Sequence, residues 1–229
     1  LDYRVRFYGQ LGDYRCACGF HRPTPAVEAG PLTRTREGFA FDVLGHRAGI
    51  QSPGRYNVYN ALAAVAGAHA LRWNPDAVGR AIASIKTDIG RMERLVNEAG
   101  KEVLLTLVKN PMGLNQVLDV VATDPEETDF LMILNDQAAD GRDVSWIWDA
   151  SLEKLDRSRF GTVLVSGLRA HDLAVRLKYA GLTGIDVEED PFRAAERMTQ
   201  PGRPLHLLTT YTSLYALRDH LFRKGFHHA

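Results

Sequence analysis

The chain has 229 residues, 28 Lys and Arg against 28 Asp and Glu, and 45% hydrophobic residues, an ordinary globular composition with room for one large or two small domains. Zero formal net charge gives no electrostatic reason to expect nucleic acid or an anionic membrane as a partner. No apolar run approaches the ~20 residues of a membrane-spanning helix and no secretory leader is visible, so the chain is expected to be cytoplasmic.

The opening LDYRVRFYGQ lacks an initiator Met and enters at once into strand-like alternation, so it reads as the start of a fragment whose upstream part is missing. Residues 1–30 read as short strands with Gly and Pro turns, a small ribbon-like insert. Cys16 and Cys18 stand one residue apart in YRCACGFHRP, a spacing unsuited to a structural disulfide. Cys-x-Cys-Gly suits half of a metal knuckle, with His21 as a local third donor where four are normally needed; a reduced, metal-free pair in a hairpin explains it equally.

GFAFDVLG (38–45) alternates as a strand does. GRYNVYNALAAVAGAHALRW reads as a helix, and NPDAVGRAIASIK as a second one with Asn74 at the N-cap and Pro75 at the first position. Asn57 and Asn60, spaced i, i+3, share a helix face and can offer amides to a nucleobase; capping by Asn57 is the plainer reading. In DIGRMERL, Arg91 and Arg94 flank Glu93 after a glycine, placed to stack on a base or bind phosphate, or simply to solvate a strand start. Strands are expected over 91–99 and 102–108, with a domain boundary at 86–92.

A regular alternation follows. Strands VLLTLV (103–108), FLMILN (130–135), TVLVSG (162–167), a weak GIDVEE (184–189) and LHLLTT (205–210) alternate with helices starting near Pro111, Val144, Ala170, Pro191 and Ser213. This pattern predicts a parallel, doubly wound sheet. Such sheets bind ligands outside the carboxyl ends of their strands. Lys109-Asn110 follows the first of them and suits phosphate or a carboxylate, against capping of the next helix by Asn110.

The richest strand end is MILNDQAADGRDVSWIWD (132–149). Crowded carboxylates raise one another's pKa, hold a cation or orient a histidine. Taken singly, Asp143 could cap a helix starting at Val144, Asp140-Gly141 is a turn pair, and Asp149 would be an exposed helix residue; Asp136 completes the set. Trp146 and Trp148, two apart on that helix, would point to different faces, one into the core and one outward as an interface anchor. G-x-x-x-x-G-K-[ST], G-x-S-x-G and H-E-x-x-H are all absent.

The order of GRYNVYNALAAVAGAHAL, DIGRMERL and a Rossmann-like domain resembles the back half of Mur ligases, the ATP-dependent ligases of peptidoglycan synthesis. More narrowly, YRCACGFHRP, LVKNPMGLNQVL and NDQAADGRDVSWIWDASLEKL resemble the MurT family, the Mur-ligase-like subunits of lipid II isoglutaminyl synthase, over nearly the full length. The resemblance implies an α/β chain. Residues 1–90 would be the truncated middle, ATP-binding domain with half of a zinc-ribbon-like cysteine insert at about 1–30. Residues 91–229 would be a Rossmann-like, doubly wound, mostly parallel sheet.

It also implies an ATP-dependent carbon–nitrogen ligase that amidates the α-carboxylate of D-glutamate in the lipid II stem peptide to D-isoglutamine, at the inner face of the membrane. Ammonia would come from a GatD-like glutaminase partner. In this family the glutaminase supplies Cys and His and the ligase subunit supplies an aspartate in trans; by motif match that aspartate is Asp143, with Asp140, Trp146 and Trp148 at the partner interface. Asn57 and Asn60 match a nucleotide-contacting motif, Asn57 better, and Arg91 matches a linker arginine. Lys109 and Asn110 match a substrate-side loop. Cys16 and Cys18 match the second half of a four-cysteine ribbon, making Zn2+ a further candidate beside ATP and Mg2+.

The family's Gly-rich ATP loop, its magnesium-side glutamate and the first cysteine pair fall upstream. The fragment alone is therefore expected to show no ligase activity and at most weak nucleotide or zinc binding. Two other readings stand beside this one. The first is a non-catalytic scaffold that docks and activates a glutaminase, needing only 90–229 and Asp143. The second is another Mur-type amino-acid ligase, in which the Asp/Trp stretch has no purpose.

Overall fold

The computed structural model describes residues 1–8, 11–35, 38–52, 54–84 and 89–229. It divides into two compact units, Leu1–Lys86 and Thr87–Ala229. The expected boundary at 86–92 falls partly on residues outside the described ones. Among the described residues no helix is long and apolar enough to cross a membrane.

In the first unit, β1 (Asp2–Tyr8) pairs antiparallel with β2 (Leu11–Arg15). A second antiparallel sheet holds β3 (Thr33–Arg34), β4 (Phe39–Val43) and β5 (His46–Ile50). Where the sequence suggested one strand over 38–45, the chain makes a hairpin. Leu44 and Gly45 both take positive φ (51° and 80°), the backbone a tight two-residue turn requires. Two helices, α1 (Tyr56–Ala70) and α2 (Pro75–Ser84), set Val58, Ala61, Val65 and Ile82 against Phe39, Phe41, Val43 and Ala48. Asn74 caps α2 as expected, accepting from the backbone N–H groups of Asp76 (3.0 Å) and Ala77 (3.1 Å).

The second unit is one seven-stranded sheet. In chain order it runs β6 (Glu93–Val96), β7 (Glu102–Leu107), α3 (Pro111–Ala122), β8 (Thr128–Ile133), β9 (Phe160–Ser166), α4 (Ala170–Tyr179), β10 (Ile185–Val187), α5 (Pro191–Met198), β11 (Leu205–Thr209), α6 (Tyr211–Arg223) and β12 (His227–His228). The spatial order is β10-β9-β8-β11-β7-β6-β12, with β10 to β7 parallel and β6 and β12 antiparallel at one edge. Every residue of β11 is buried, as a strand covered on both faces must be. Steps from β7 through β10 run one way across the sheet and the step to β11 runs back. With right-handed crossovers, α3 and α4 cover one face and α5 and α6 the other. On the latter face Val103, Leu105, Leu131, Ile133 and Leu207 pack with Ala194, Leu214, Leu217 and Leu221.

Three details depart from the sequence reading. The closing FHHA adds an edge strand, β12. Helix α6 starts at Tyr211, two residues before the expected Ser213. No α-helix begins at Val144. Residues Ser145–Trp148 form a 3-10 turn, followed by two more at Leu152–Lys154 and Arg157–Arg159. β-branched and aromatic residues weaken helix propensity there. The carbonyls of Ile147 and Ala150, which a helix would use internally, are instead taken by the Arg176 guanidinium at 3.0 and 2.7 Å.

Candidate functional site

Both neighbours of β11, β8 and β7, lead into the α3/α4 face, while β11 leads into the other. The carboxyl ends beside β11 are therefore switch points, where open α/β sheets place ligand-binding loops. The loops after β8, β9 and β11 are knit together by Asn135. Its backbone N–H donates to Thr210 Oγ1 (3.1 Å), its Nδ2 to Thr212 Oγ1 (3.1 Å) and Ser213 Oγ (2.7 Å), and its Oδ1 accepts from Leu168 N (2.9 Å). Gly167 makes that approach feasible. Its φ is +93°, and a Cβ there would sit 2.6 Å from Leu134 O and 2.7 Å from Asn135 Oδ1.

The four aspartates separate by environment. Asp136 is half-buried and pairs with Arg169 at 3.2 Å. Asp140 is 6% exposed, and its carboxylate accepts from Thr212 N (2.7 Å), Thr212 Oγ1 (2.6 Å) and Gln137 N (3.3 Å). The expectation that Asp140 faces a partner is therefore corrected: it closes the N-terminus of α6, where the Thr210 hydroxyl at the N-cap is turned to Asn135 N and caps no N–H of the helix. Past a turn at Gly141 (φ +89°), Asp143 is exposed, and its Oδ1 accepts from Ser145 N (2.8 Å). Bonding to Ser145 holds its carboxyl below the usual range, so it is ionised at neutral pH. Asp149 is exposed. Of the described histidines, His171 pairs with Glu189 and His206 with Asp124, each at 3.1 Å, so neither serves Asp143.

Neither tryptophan enters the core. Ile147 between them does, while Trp146 is half-buried and Trp148 is 51% exposed. A 3-10 turn spaces residues three to a turn, which aims Ile147 inward instead. The Trp148 ring meets Tyr179 edge-on at 5.7 Å and lies 5.3 Å from the Arg176 guanidinium.

After β7, Lys109 and Asn110 are both exposed, and Asn110 caps α3 by accepting from Gly113 N at 2.7 Å. Arg91 is exposed, Arg94 pairs with Glu102 at 2.6 Å, and Glu93 is buried against Arg218 at 2.8 Å. In the first unit Asn57 does not cap α1, whose N-cap position is Arg55. Its Nδ2 donates to Ser52 Oγ (2.6 Å) and its Oδ1 accepts from Asn60 Nδ2 (3.1 Å), so the two amides form one hydrogen-bonded row with Asn60 outermost.

Cys16 and Cys18 are free thiols with their sulfurs 3.1 Å apart. The Phe20 backbone first, then Cys16, hold the Cys18 thiol below its ordinary range. Two thiolates on one tetrahedral zinc would stand about 3.8 Å apart. His21 turns its Nδ1 to Gly19 O at 2.8 Å, and among the described residues no three His, Cys, Asp or Glu are grouped to hold a metal. These residues do not make a complete zinc site.

Sequence reasoning missed Arg176, Asn135 as a hub and Thr212. Arg176 did leave a signal. Buried positions of α4 are Ala170, Leu173, Arg176 and Leu177, so an arginine occupies a place where the helical period calls for an aliphatic residue.

Residues 107–214 match the family model for the MurT ligase C-terminal domain. The chain is 35% identical over 225 residues to the lipid II isoglutaminyl synthase (glutamine-hydrolyzing) subunit MurT of Staphylococcus aureus, covering 97% of this chain and 51% of that subunit. Its counterpart in Streptococcus pneumoniae is 34% identical, with 96% and 50% covered. The chain thus spans about half the length of these relatives. Among solved structures, a pseudomurein peptide ligase type C from Methanothermus fervidus superposes with a TM-score of 0.71 at 18% identity, covering 98% of this chain and 47% of that one. The fold is Mur-ligase-like, with a mostly parallel central sheet.

Proposed function

Starting from this kinship to one half of MurT subunits, we propose that the chain is the C-terminal part of an ATP-dependent amide ligase subunit that works with a glutaminase. The full-length subunit amidates the α-carboxylate of D-glutamate in the lipid II stem peptide, and Asp143 completes the partner's catalytic triad. The observation that carries this reading is Asp143 itself: an ionised, exposed carboxylate on a loop held from both sides, five residues before the exposed Trp148, with none of the described histidines bonded to it.

The chemistry follows from that placement. A glutaminase attacks the side-chain amide of glutamine with a thiolate, and water then releases glutamate, so that glutamine and water give glutamate and ammonia. The histidine that shuttles the proton needs its far nitrogen held by a hydrogen-bond acceptor. A carboxylate there fixes the tautomer and stabilises the imidazolium. Asp143 supplies that carboxylate from across an interface, Trp146 and Trp148 supply docking surface, and the freed ammonia is spent on the ligase side.

The nucleotide would be held mostly by parts of the full-length subunit outside these residues, since the chain lacks a phosphate-cradling G-x-x-x-x-G-K-[ST]. ATP and Mg2+ supply carboxylate activation there. Asn60 with Asn57, and Arg91, would add contacts to base and phosphate, and Lys109 would face the substrate carboxylate. The two cysteines would form half of a ribbon insert. As a separate piece these 229 residues would act as the activator of the glutaminase, without ligase activity.

The test is reconstitution of the full-length subunit with its glutaminase, lipid II, glutamine and ATP, read by mass spectrometry of the stem peptide. Conversion of one D-glutamate carboxyl to the amide, dependent on both proteins and on ATP, is expected. Addition of an amino acid instead, or glutamine hydrolysis indifferent to this subunit, would overturn the reading.

A further inference from the structure

We infer that Arg176 is a positioning residue that sets where Asp143 stands; this rests on the reading of Asp143 given above. The stretch between β8 and β9 carries Asp143 with nothing more regular than 3-10 turns, yet it must present a carboxylate to within a fraction of an ångström. Its first foot is Asp140, tied to Thr212. Its second foot is Arg176.

Arg176 is 3% exposed on α4, beneath the turn. One face of its guanidinium fork binds three things. Nε donates to Ile147 O (3.0 Å), Nη2 donates to Ala150 O (2.7 Å), and Nη2 also pairs with Glu153 at 2.8 Å. The same group lies against the Trp148 ring. From Ile147 the constraint runs back to Asp143 through short bonds: Ile147 N to Val144 O (3.1 Å), then Ser145 N to Asp143 Oδ1 (2.8 Å). A shift of the turn therefore carries the Asp143 carboxylate with it. The guanidinium presents its donors in a rigid, planar fork that meets two carbonyls and a carboxylate at separate points; the three donors of an ammonium radiate from one nitrogen on a flexible stem and hold no such fixed spacing. An arginine kept in an otherwise apolar stripe of α4 is thereby explained by what it holds.

The experiment measures L-glutamine hydrolysis by the full-length subunit in complex with its glutaminase, for wild type, Asp143→Asn, Arg176→Met, Arg176→Lys and the two double variants. Arg176→Met should lower kcat about 10- to 100-fold, the scale of an ångström's misplacement. KM for glutamine should hold, because the glutamine pocket belongs to the partner. Arg176→Lys should fall between Arg176→Met and wild type. In the Asp143→Asn background, adding Arg176→Met should cost no more than about 3-fold, because the two act through one carboxylate. Wild-type kcat in Arg176→Met with Asp143→Asn impaired overturns this inference alone. So does an equal loss in both backgrounds, which marks a merely structural role. If Arg176→Met does not fold or associate, Arg176→Lys runs the same cycle. An Asp143→Asn complex as active as wild type overturns the function reading and this inference with it.

Discussion

Asp140 closes the N-terminus of α6 through Thr212, accepting from its backbone N–H at 2.7 Å and its hydroxyl at 2.6 Å. A carboxylate 72 positions away in sequence thus does what an N-cap side chain normally does locally. Asp140→Ala should cost about 1–2 kcal/mol in urea unfolding, and Asp140→Asn only a few tenths, since asparagine caps nearly as well. An Asp140→Ala protein as stable as wild type but weak in partner binding would restore Asp140 to the interface.

Lys101 is 1% exposed, with its ammonium on Asp129 Oδ2 at 3.4 Å and on the Arg203 carbonyl. Burial pushes its pKa below the usual lysine range, against the pull of Asp129. The unfolded chain then binds more protons between the two pKa values, so this group makes stability rise with pH across that window. Lys101→Met leaves Asp129 short of a partner and should cost about 3 kcal/mol. Adding Asp129→Asn should recover most of that, as read by thermal unfolding; no recovery would mean that Lys101 packs rather than pairs.

Asn110 and Lys109 sit together at the end of β7 but do different work. Asn110→Ala should cost about 1 kcal/mol by uncapping α3, with activity of the stable fraction retained. Lys109→Ala should leave stability within about 0.5 kcal/mol, as exposed substitutions do, and raise KM for the peptide substrate. Unchanged kinetics in Lys109→Ala would remove it from the substrate side.

The depressed pKa of Asp143 has a sign that can be read. Its charge is fully present above the ordinary carboxylate value and is lost only as pH falls through a lower one. Between pH 5 and 9 its own titration therefore leaves no trace in glutamine hydrolysis. A carbon-detected NMR titration should place its midpoint below about 3.9; a midpoint above that would remove Ser145 as the group that holds it.

Much of this fold was legible because the physics was local. Apolar runs such as FLMIL, and LHLL with His206 as its one polar residue, announce strands buried on both faces, and Asn74-Pro75 and Asn110-Pro111 announce helix starts. The misses share a different cause. The strand–helix alternation suggested a helix from Val144 carrying Trp146 and Trp148, but Arg176, nearly thirty residues on, captures the carbonyls that would have built it. Asp140 looked like one more loop carboxylate because its partner, Thr212, lies beyond three intervening strands in the chain. His227 and His228 form a strand only because the edge of β6 is there to pair with. Asp143 taken singly read as a plain helix cap and was singled out only by its match to the family motif, whereas its exposure, against the burial of Asp140, came from tertiary contacts.

The central claim is that Asp143 works in another protein's active site, and glutamine hydrolysis by the cognate glutaminase tests it most directly. The rate is measured with the full-length wild-type subunit and with Asp143→Asn, which keeps size and hydrogen-bonding capacity but removes the charge. The account predicts that the variant still forms the complex and that kcat falls about 10^3- to 10^4-fold, the scale of a triad aspartate replaced by asparagine. A complex of the Asp143→Asn variant that hydrolyses glutamine at the wild-type rate would contradict it.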